Sequence, residues 1–209
     1  MELFQTNDLV FGGLIRYGNL SIPAGKTTFI TGESGSGKTT LFKLLNGVLS
    51  PSSGSILYRG RTLESLDPVS HRREVSLVAQ EPYLFPGSIR DYFNAYYGYR
   101  ELPAPSENEI QSFLSLFHLD FTPDSGTQTF SGGEKQRLCL AVFLSFKPRV
   151  LLLDEPTSAL DGATGEIVLA GTVRFCRENG MELAVISHNR DLAAKFSQNT
   201  LYLERQAVV

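Results

Sequence analysis

The stretch Gly32-Glu33-Ser34-Gly35-Ser36-Gly37-Lys38-Thr39 sets the fold of this chain, because it fits the pattern G-x-x-x-x-G-K-[ST] and stands in the context that pattern requires. Just before it, Thr27 to Thr31 is short and β-rich; just after it, Thr40 to Leu49 carries apolar residues at helical spacing. The stretch therefore reads as a strand-to-helix turn. Glycines at 32, 35 and 37 remove the Cβ atoms that would block close approach, so successive backbone N–H groups can wrap an anion at the positive end of a helix. That is a nucleotide-phosphate site. Lys38 can reach the outer phosphates as a flexible point charge, and the Thr39 hydroxyl can enter the coordination sphere of a phosphate-bound magnesium ion.

Other short apolar runs end, like the first, at chemically capable residues: Val75 to Ala79 at Gln80, Val150 to Leu153 at Asp154, and Leu183 to Ser187 at His188. Ligands of α/β sheets bind at the carboxyl ends of the strands, so these runs predict one shared site. Between Gln80 and Ser131 the pattern turns aromatic and helical, with Tyr92, Phe93, Tyr96, Tyr97 and Tyr99, then Pro103 and Pro105, then an amphipathic segment from Glu107 to Phe117. The expected organisation is an α/β core over residues 1–80 and 145–209, with a helical subdomain inserted at about 81–144. Leu3 to Phe11 and Ser55 to Tyr58 predict a small antiparallel layer within the core.

At 209 residues the chain can bury a substantial interior without disulfides or structural metals. A formal net charge of -3 supplies no basic field for nonspecific binding to nucleic acid, and none is expected as a direct partner. The two cysteines, Cys139 and Cys176, are far apart and lack metal-type spacing, which suits a reducing compartment. Met1 to Val10 has no basic region followed by an apolar core, and no apolar run approaches the roughly 20 residues that span a bilayer. The expectation is a cytosolic chain whose membrane contact runs through a partner.

Val150-Leu151-Leu152-Leu153-Asp154-Glu155-Pro156 reads as a fully buried parallel strand that delivers two carboxylates to the sheet edge. Asp154 is placed to hold magnesium. Pro156 disfavours the α region for Glu155, and the expectation is an extended Glu155 aimed at the nucleotide, where it takes a proton from attacking water. Phosphoryl transfer needs such a base together with backbone dipoles and a metal. Phe130-Ser131-Gly132-Gly133-Glu134-Lys135-Gln136-Arg137 opens an amphipathic stretch running to about Phe146. Ser131 with Glu134 forms a capping-box pattern, and the glycines leave the backbone donors approachable, so this is a second anion-binding helix start.

With these segments in order, the chain resembles the ATP-binding cassette (ABC) ATPase domain over essentially its whole length. The resemblance maps Gly32 to Thr40 onto the Walker A loop, Gln80 onto the Q-loop, Phe130 to Gln136 onto the signature motif and Val150 to Glu155 onto Walker B. It maps Ser158-Ala159-Leu160-Asp161 onto the D-loop and His188 onto the switch histidine. It implies a P-loop NTPase core with a mostly parallel sheet, ATP and Mg2+ as cofactors, and Thr40 among the nucleotide contacts. In that family two domains associate head to tail, each ATP lying between the Walker A loop of one copy and the signature helix of the other. By resemblance, Ser131, Gly132, Gly133 and Glu134 meet the partner's nucleotide and Asp161 helps link the two sites. Gln80 approaches the magnesium and the attacking water, and His188 contacts the γ-phosphate. Phe11 matches the aromatic that stacks on adenine, with Tyr17 as its competitor. Phe130 stands where the family commonly has Leu, and Glu134 where it has Gln.

The expected function is the ATP-hydrolysing subunit of a membrane transporter, paired with a second such domain and with membrane-spanning subunits at the cytoplasmic face. The alternative is a soluble ABC ATPase acting on nucleic acid or the ribosome, but neither a long coiled-coil insertion nor a second cassette is present. Glu81 to Arg90 and the tyrosines after it offer the aromatic surface on which, in the family, a coupling helix docks. No C-terminal regulatory domain is expected after the Thr200 to Leu203 strand. Homodimer or heterodimer, import or export, and the cargo all stay open; stand-alone subunits linked to metal efflux and exporter cassettes share the layout.

Overall fold

Alternation of apolar and polar residues starts the chain as strand: in β1 (Glu2–Phe11), Leu3, Phe4, Thr6 and Leu9 are buried. It pairs antiparallel with β2 (Ile15–Gly18), β3 (Ser21–Pro23) and, at its other edge, β5 (Ser53–Tyr58), which continues into β6 (Arg61–Thr62). The expected antiparallel layer is there, enlarged by the short strands of residues 15–23. All of this comes from a computed structural model, which describes residues 1–204.

The second sheet is parallel throughout. Its first strand, β4 (Thr28–Gly32), falls in sequence between β3 and β5 and is followed by α1 (Lys38–Leu45), and after β6 come α2 (Pro68–Glu74) and β7 (Val75–Val78). The helices α3 (Ile89–Tyr99), α4 (Glu107–Leu116) and α5 (Gly132–Ser145) precede β8 (Val150–Asp154). The chain then runs through α6 (Gly162–Glu178), β9 (Glu182–Ile186), α7 (Arg190–Phe196) and β10 (Asn199–Leu203). Strand order is β10-β4-β9-β8-β7. α1 stops at Leu45 rather than near Leu49, because Gly47 at φ +74 takes the left-handed conformation that closes helix ends.

Every residue of β8 is buried, and its side chains alternate between two interiors. Leu151 and Leu153 join Phe29, Leu183 and Val185 on the helical side, whereas Val150 and Leu152 join Ile30, Ala184 and Ile186 facing α1 and the antiparallel layer. The helices expected at about 81–144 do form. Their core is continuous with that of the sheet, since Ile110 and Leu114 of α4 share a cluster with Leu140 of α5 and Leu151. α3, α4 and α5 each begin with a full capping box, at Ser88, Ser106 and Ser131.

Register aligns the chemistry. Ile30 and Asp154 both lie opposite Ile186, and Leu153 lies opposite Val78. The residues that follow these positions therefore leave the sheet at one edge: the phosphate loop, Glu155, Ser187-His188 and Gln80.

Candidate active site

At that edge a cavity of about 360 Å3 is lined by Ile15, Ser34, Gly35, Gly37, Lys38, Thr39, Thr40, Gln80, Asp154, Glu155, Ile186 and His188. Concavities of about 600 and 510 Å3 exist elsewhere, so chemistry and not size singles this one out. The loop is built for close approach. Gly37 is the N-cap of α1 at φ 91, a left-handed conformation, and its carbonyl accepts a hydrogen bond from the Tyr17 hydroxyl at 2.8 Å. A Cβ on Gly37 would lie 2.7 Å from that hydroxyl oxygen. Tyr17 is thus buried under the loop, with its hydroxyl pKa pushed up by burial, and its ring is not free to stack on a base.

Lys38 folds back within the loop, donating to the carbonyls of Gly32 at 3.0 Å and Glu33 at 2.8 Å. Burial holds its pKa below the usual lysine range, against the opposing pull of Glu155 and Asp154. The Ser36 hydroxyl in the same loop is buried without a hydrogen-bond partner.

Asp154 is only 3% exposed, and its Oδ1 is buried without a partner. Burial raises its pKa; the Thr39 hydroxyl, Lys43, Lys38 and His188 pull it back. A buried carboxylate with an orphan oxygen next to a threonine hydroxyl fits a hard cation. Among the described residues no group of three His, Cys, Asp or Glu side chains could hold a metal alone, so such an ion would be completed by phosphate oxygens and water.

Glu155 departs from expectation. It is not extended: its φ is +50, in the left-handed region. Pro156 does exclude the right-handed α region, but distant partners choose what remains. The Glu155 N–H donates to the Ile186 carbonyl at 3.0 Å, and its own carbonyl accepts from Gln136 Nε2 at 2.9 Å. The side chain still faces the cavity. Its Oε2 accepts from the His188 backbone N–H at 3.3 Å, and its Oε1 lies 3.4 Å from His188 Nε2, an ion-pair contact without hydrogen-bond geometry. Burial raises the Glu155 pKa above the ordinary carboxylate value, with Asp154 adding to the rise and His188 and Lys38 opposing it. The His188 ring is about half exposed, its side chain at 56%.

The remaining expected residues lie apart from this cavity. Glu134 accepts from the Ser131 N–H at 2.8 Å and hydroxyl at 2.7 Å, so its carboxylate is committed to the helix cap. The Glu134 and Lys135 N–H groups are taken by Ser131, leaving Gly132 and Gly133 to present the unsatisfied donors of α5. Asp161 caps α6, accepting from Thr164 N–H at 3.0 Å. Phe11 ends β1, half-buried against the core facing α1, and the cavity wall on that side is its register partner Ile15. The sequence places Gln136 only at the end of the signature motif; its hydrogen bond to Glu155 depends on which carbonyl the fold brings to it.

A parallel sheet whose edge gathers a glycine-built phosphate cradle, a buried lysine and two adjacent carboxylates defines a P-loop NTPase. A family model described as ABC transporter matches residues 16–158. The chain is 38% identical over 177 residues to the probable iron export ATP-binding protein FetA of Escherichia coli (strain K12), covering 83% of this chain and 77% of that protein. It is 36% identical over 194 residues to ABC multidrug transporter E of Aspergillus fumigatus, covering 88% of this chain but 15% of the relative. Among solved structures, a bacterial Atm1-family ABC exporter with ATP bound matches with a TM-score of 0.85 and 29% identity, over 97% of this chain and 37% of that one. CbiO1 from Clostridium perfringens, part of the ABC transporter complex cbiONQ, matches with a TM-score of 0.83 and 25% identity, over 100% and 87%. The chain belongs to the ABC transporter family and is an ATPase domain of it. It spans only a minor part of the fungal transporter and of the exporter chain.

Proposed function

We propose that this chain binds ATP with magnesium in the cavity at the sheet edge, hydrolyses it with Glu155 as general base, and energises a membrane transporter. What carries the reading is the convergence of Lys38, Asp154, Glu155, Gln80 and His188 on one cavity under a glycine-built turn. The loop N–H groups and Ser36 hydroxyl hold the phosphates, and Lys38 extends the loop's positive charge toward the outer ones. Thr39 and Asp154 hold the magnesium ion, with Gln80 beside it. When bound, that ion offsets the negative charge on the phosphate oxygens.

Glu155 has the raised pKa of a poised base, and one buried oxygen lacks a hydrogen-bond donor to satisfy it. A water held between that oxygen and the γ-phosphate gives up its proton there as it attacks. His188 steadies the carboxylate through its backbone N–H and turns its half-exposed ring to the γ-phosphate. The signature donors of Gly132 and Gly133 lie outside the cavity of their own chain, which suits a head-to-tail pair in which they cap the nucleotide of a second cassette. Ser131 sets the cap, and Asp161 faces the pair's seam.

Among the described residues no helix is long and apolar enough to cross a membrane. In this reading membrane-spanning subunits are taken as partners, with the chain peripheral on the cytoplasmic face. Tyr83, 75% exposed beside the helical region, is the aromatic offered to them. Relatives of similar identity are named for probable iron export and for spermidine/putrescine import, so cargo follows the membrane partner. Phosphate release from ATP, measured for the wild-type chain and for Glu155→Gln, tests the proposal: hydrolysis lost while ATP still binds supports it, and undiminished turnover rejects it.

A further inference from the structure

Gln136 sits in the second turn of α5 and is only 2% exposed, yet every polar atom of its side chain is used on one segment beyond β8. Its Nε2 donates to the Glu155 carbonyl at 2.9 Å and reaches the Ser158 hydroxyl at 3.4 Å; its Oε1 accepts from the Ala159 N–H at 3.2 Å. Glu155 is the residue with the left-handed backbone, a conformation that a glutamate before proline holds only when its surroundings impose it. Three contacts impose it here: Ile186 on the N–H, His188 on the carboxylate and Gln136 on the carbonyl. Of these, Gln136 alone comes from a helix outside the parallel sheet edge.

That helix is the one whose first residues are free to grip an anion. The link is rigid, because α5 also presses on the same segment at Gly133, where a Cβ would lie 3.1 Å from the Ala159 carbonyl oxygen. A tilt of α5 is thus transmitted to residues 155–159 at two points. We infer that Gln136 is a positioning residue for hydrolysis: it holds the Glu155 backbone in the left-handed conformation that aims its carboxylate, and so ties that aim to the seating of the α5 N-terminus. This inference rests on the hydrolytic reading of Glu155 above.

The test compares the wild-type chain, Gln136→Leu, Glu155→Gln and the double variant in steady-state and single-turnover phosphate release. Gln136→Leu is close in size and removes all three hydrogen bonds; its kcat falls on the order of 10- to 100-fold, as expected when a reacting group is misaimed, while KM for ATP stays close to wild type and the chain stays folded with a lowered melting temperature, since the Glu155 carbonyl and Ala159 N–H lose their partner. The double variant hydrolyses no slower than Glu155→Gln, because the glutamine acts through the glutamate. Should the leucine variant fail to fold, Gln136→Glu keeps length and acceptor without the N–H donor, and the same loss of kcat is expected. A folded variant with wild-type kcat, or losses that multiply in the double variant, overturns the inference. Full hydrolysis by Glu155→Gln alone would instead remove the reading on which it rests.

Discussion

Gly37→Ala probes the phosphate cradle at its tightest point. The residue sits at φ 91 and ψ 14, so an alanine there takes on a left-handed conformation costing about 1–2 kcal/mol. Its Cβ would stand 2.7 Å from the Tyr17 hydroxyl oxygen and 3.1 Å from Ile15 Cγ2, closer than packed atoms tolerate. Tyr17 cannot swing away without giving up its 2.8 Å hydrogen bond to the Gly37 carbonyl. That bond is worth about 1 kcal/mol, and the displaced buried ring adds about as much again. Some 3–4 kcal/mol of preorganisation is then at stake, about a 100- to 1000-fold weakening of ATP binding if it all appears in affinity. Titration with a fluorescent ATP analogue reads the affinity, and a thermal melt without nucleotide reads any part that appears as stability. Tyr17→Phe, which removes only the hydrogen bond, should weaken binding about fivefold. If Gly37→Ala binds within threefold of wild type and melts at the same temperature, the loop is not the rigid cradle described.

Lys38→Ala should abolish most nucleotide affinity in the same titration, because the loop loses its one buried cation; unchanged affinity would remove Lys38 from the site. Tyr83 and Phe85 should separate: Tyr83→Ala, at an exposed ring, leaves isolated ATPase activity near normal and uncouples it from transport in reconstituted vesicles. Phe85→Ala, whose ring packs 5.4 Å from that of Tyr92, should instead lower the melting temperature. Asp154→Asn should stop hydrolysis yet stabilise the nucleotide-free chain. Burial raises the Asp154 pKa in the fold, so the ionised side chain opposes folding above that raised value, and the opposition fades as pH falls through it toward the unfolded carboxylate range. At neutral pH the asparagine variant should melt higher than wild type, with the gain disappearing in acid. A lower melting temperature at neutral pH would contradict the assigned cost of that charge.

What could be read from the sequence was what neighbours in sequence decide. The turn at 32–39 follows from glycine spacing, and the strands ending at Asp154 and Ile186 from apolar runs. The caps at Ser88, Ser106 and Ser131 follow from a local pattern, a serine with an acidic residue three positions on. α2 could also have been found, since Asp67 accepts from the Ser70 N–H and Pro68 opens the helix, a legible start signal. Choices made by distant contacts were not legible. Pro156 limits Glu155 to the non-α regions, but Ile186, Gln136 and His188 select the left-handed one. The competition of Tyr17 with Phe11 for adenine is decided by a distant contact, the hydrogen bond that pins Tyr17 beneath Gly37. The short strands at 15–23 carry too few residues for a periodic signal and exist because β1 offers them an edge.

The claim that one chain's signature helix completes another chain's nucleotide site is tested most directly by the size of Glu155→Gln in solution with and without ATP. Sedimentation velocity should show monomer without nucleotide and a stable pair with magnesium and ATP, and Ser131→Arg in the same background should abolish the pair while each chain still binds ATP. A particle that stays monomeric with saturating ATP bound would contradict the account.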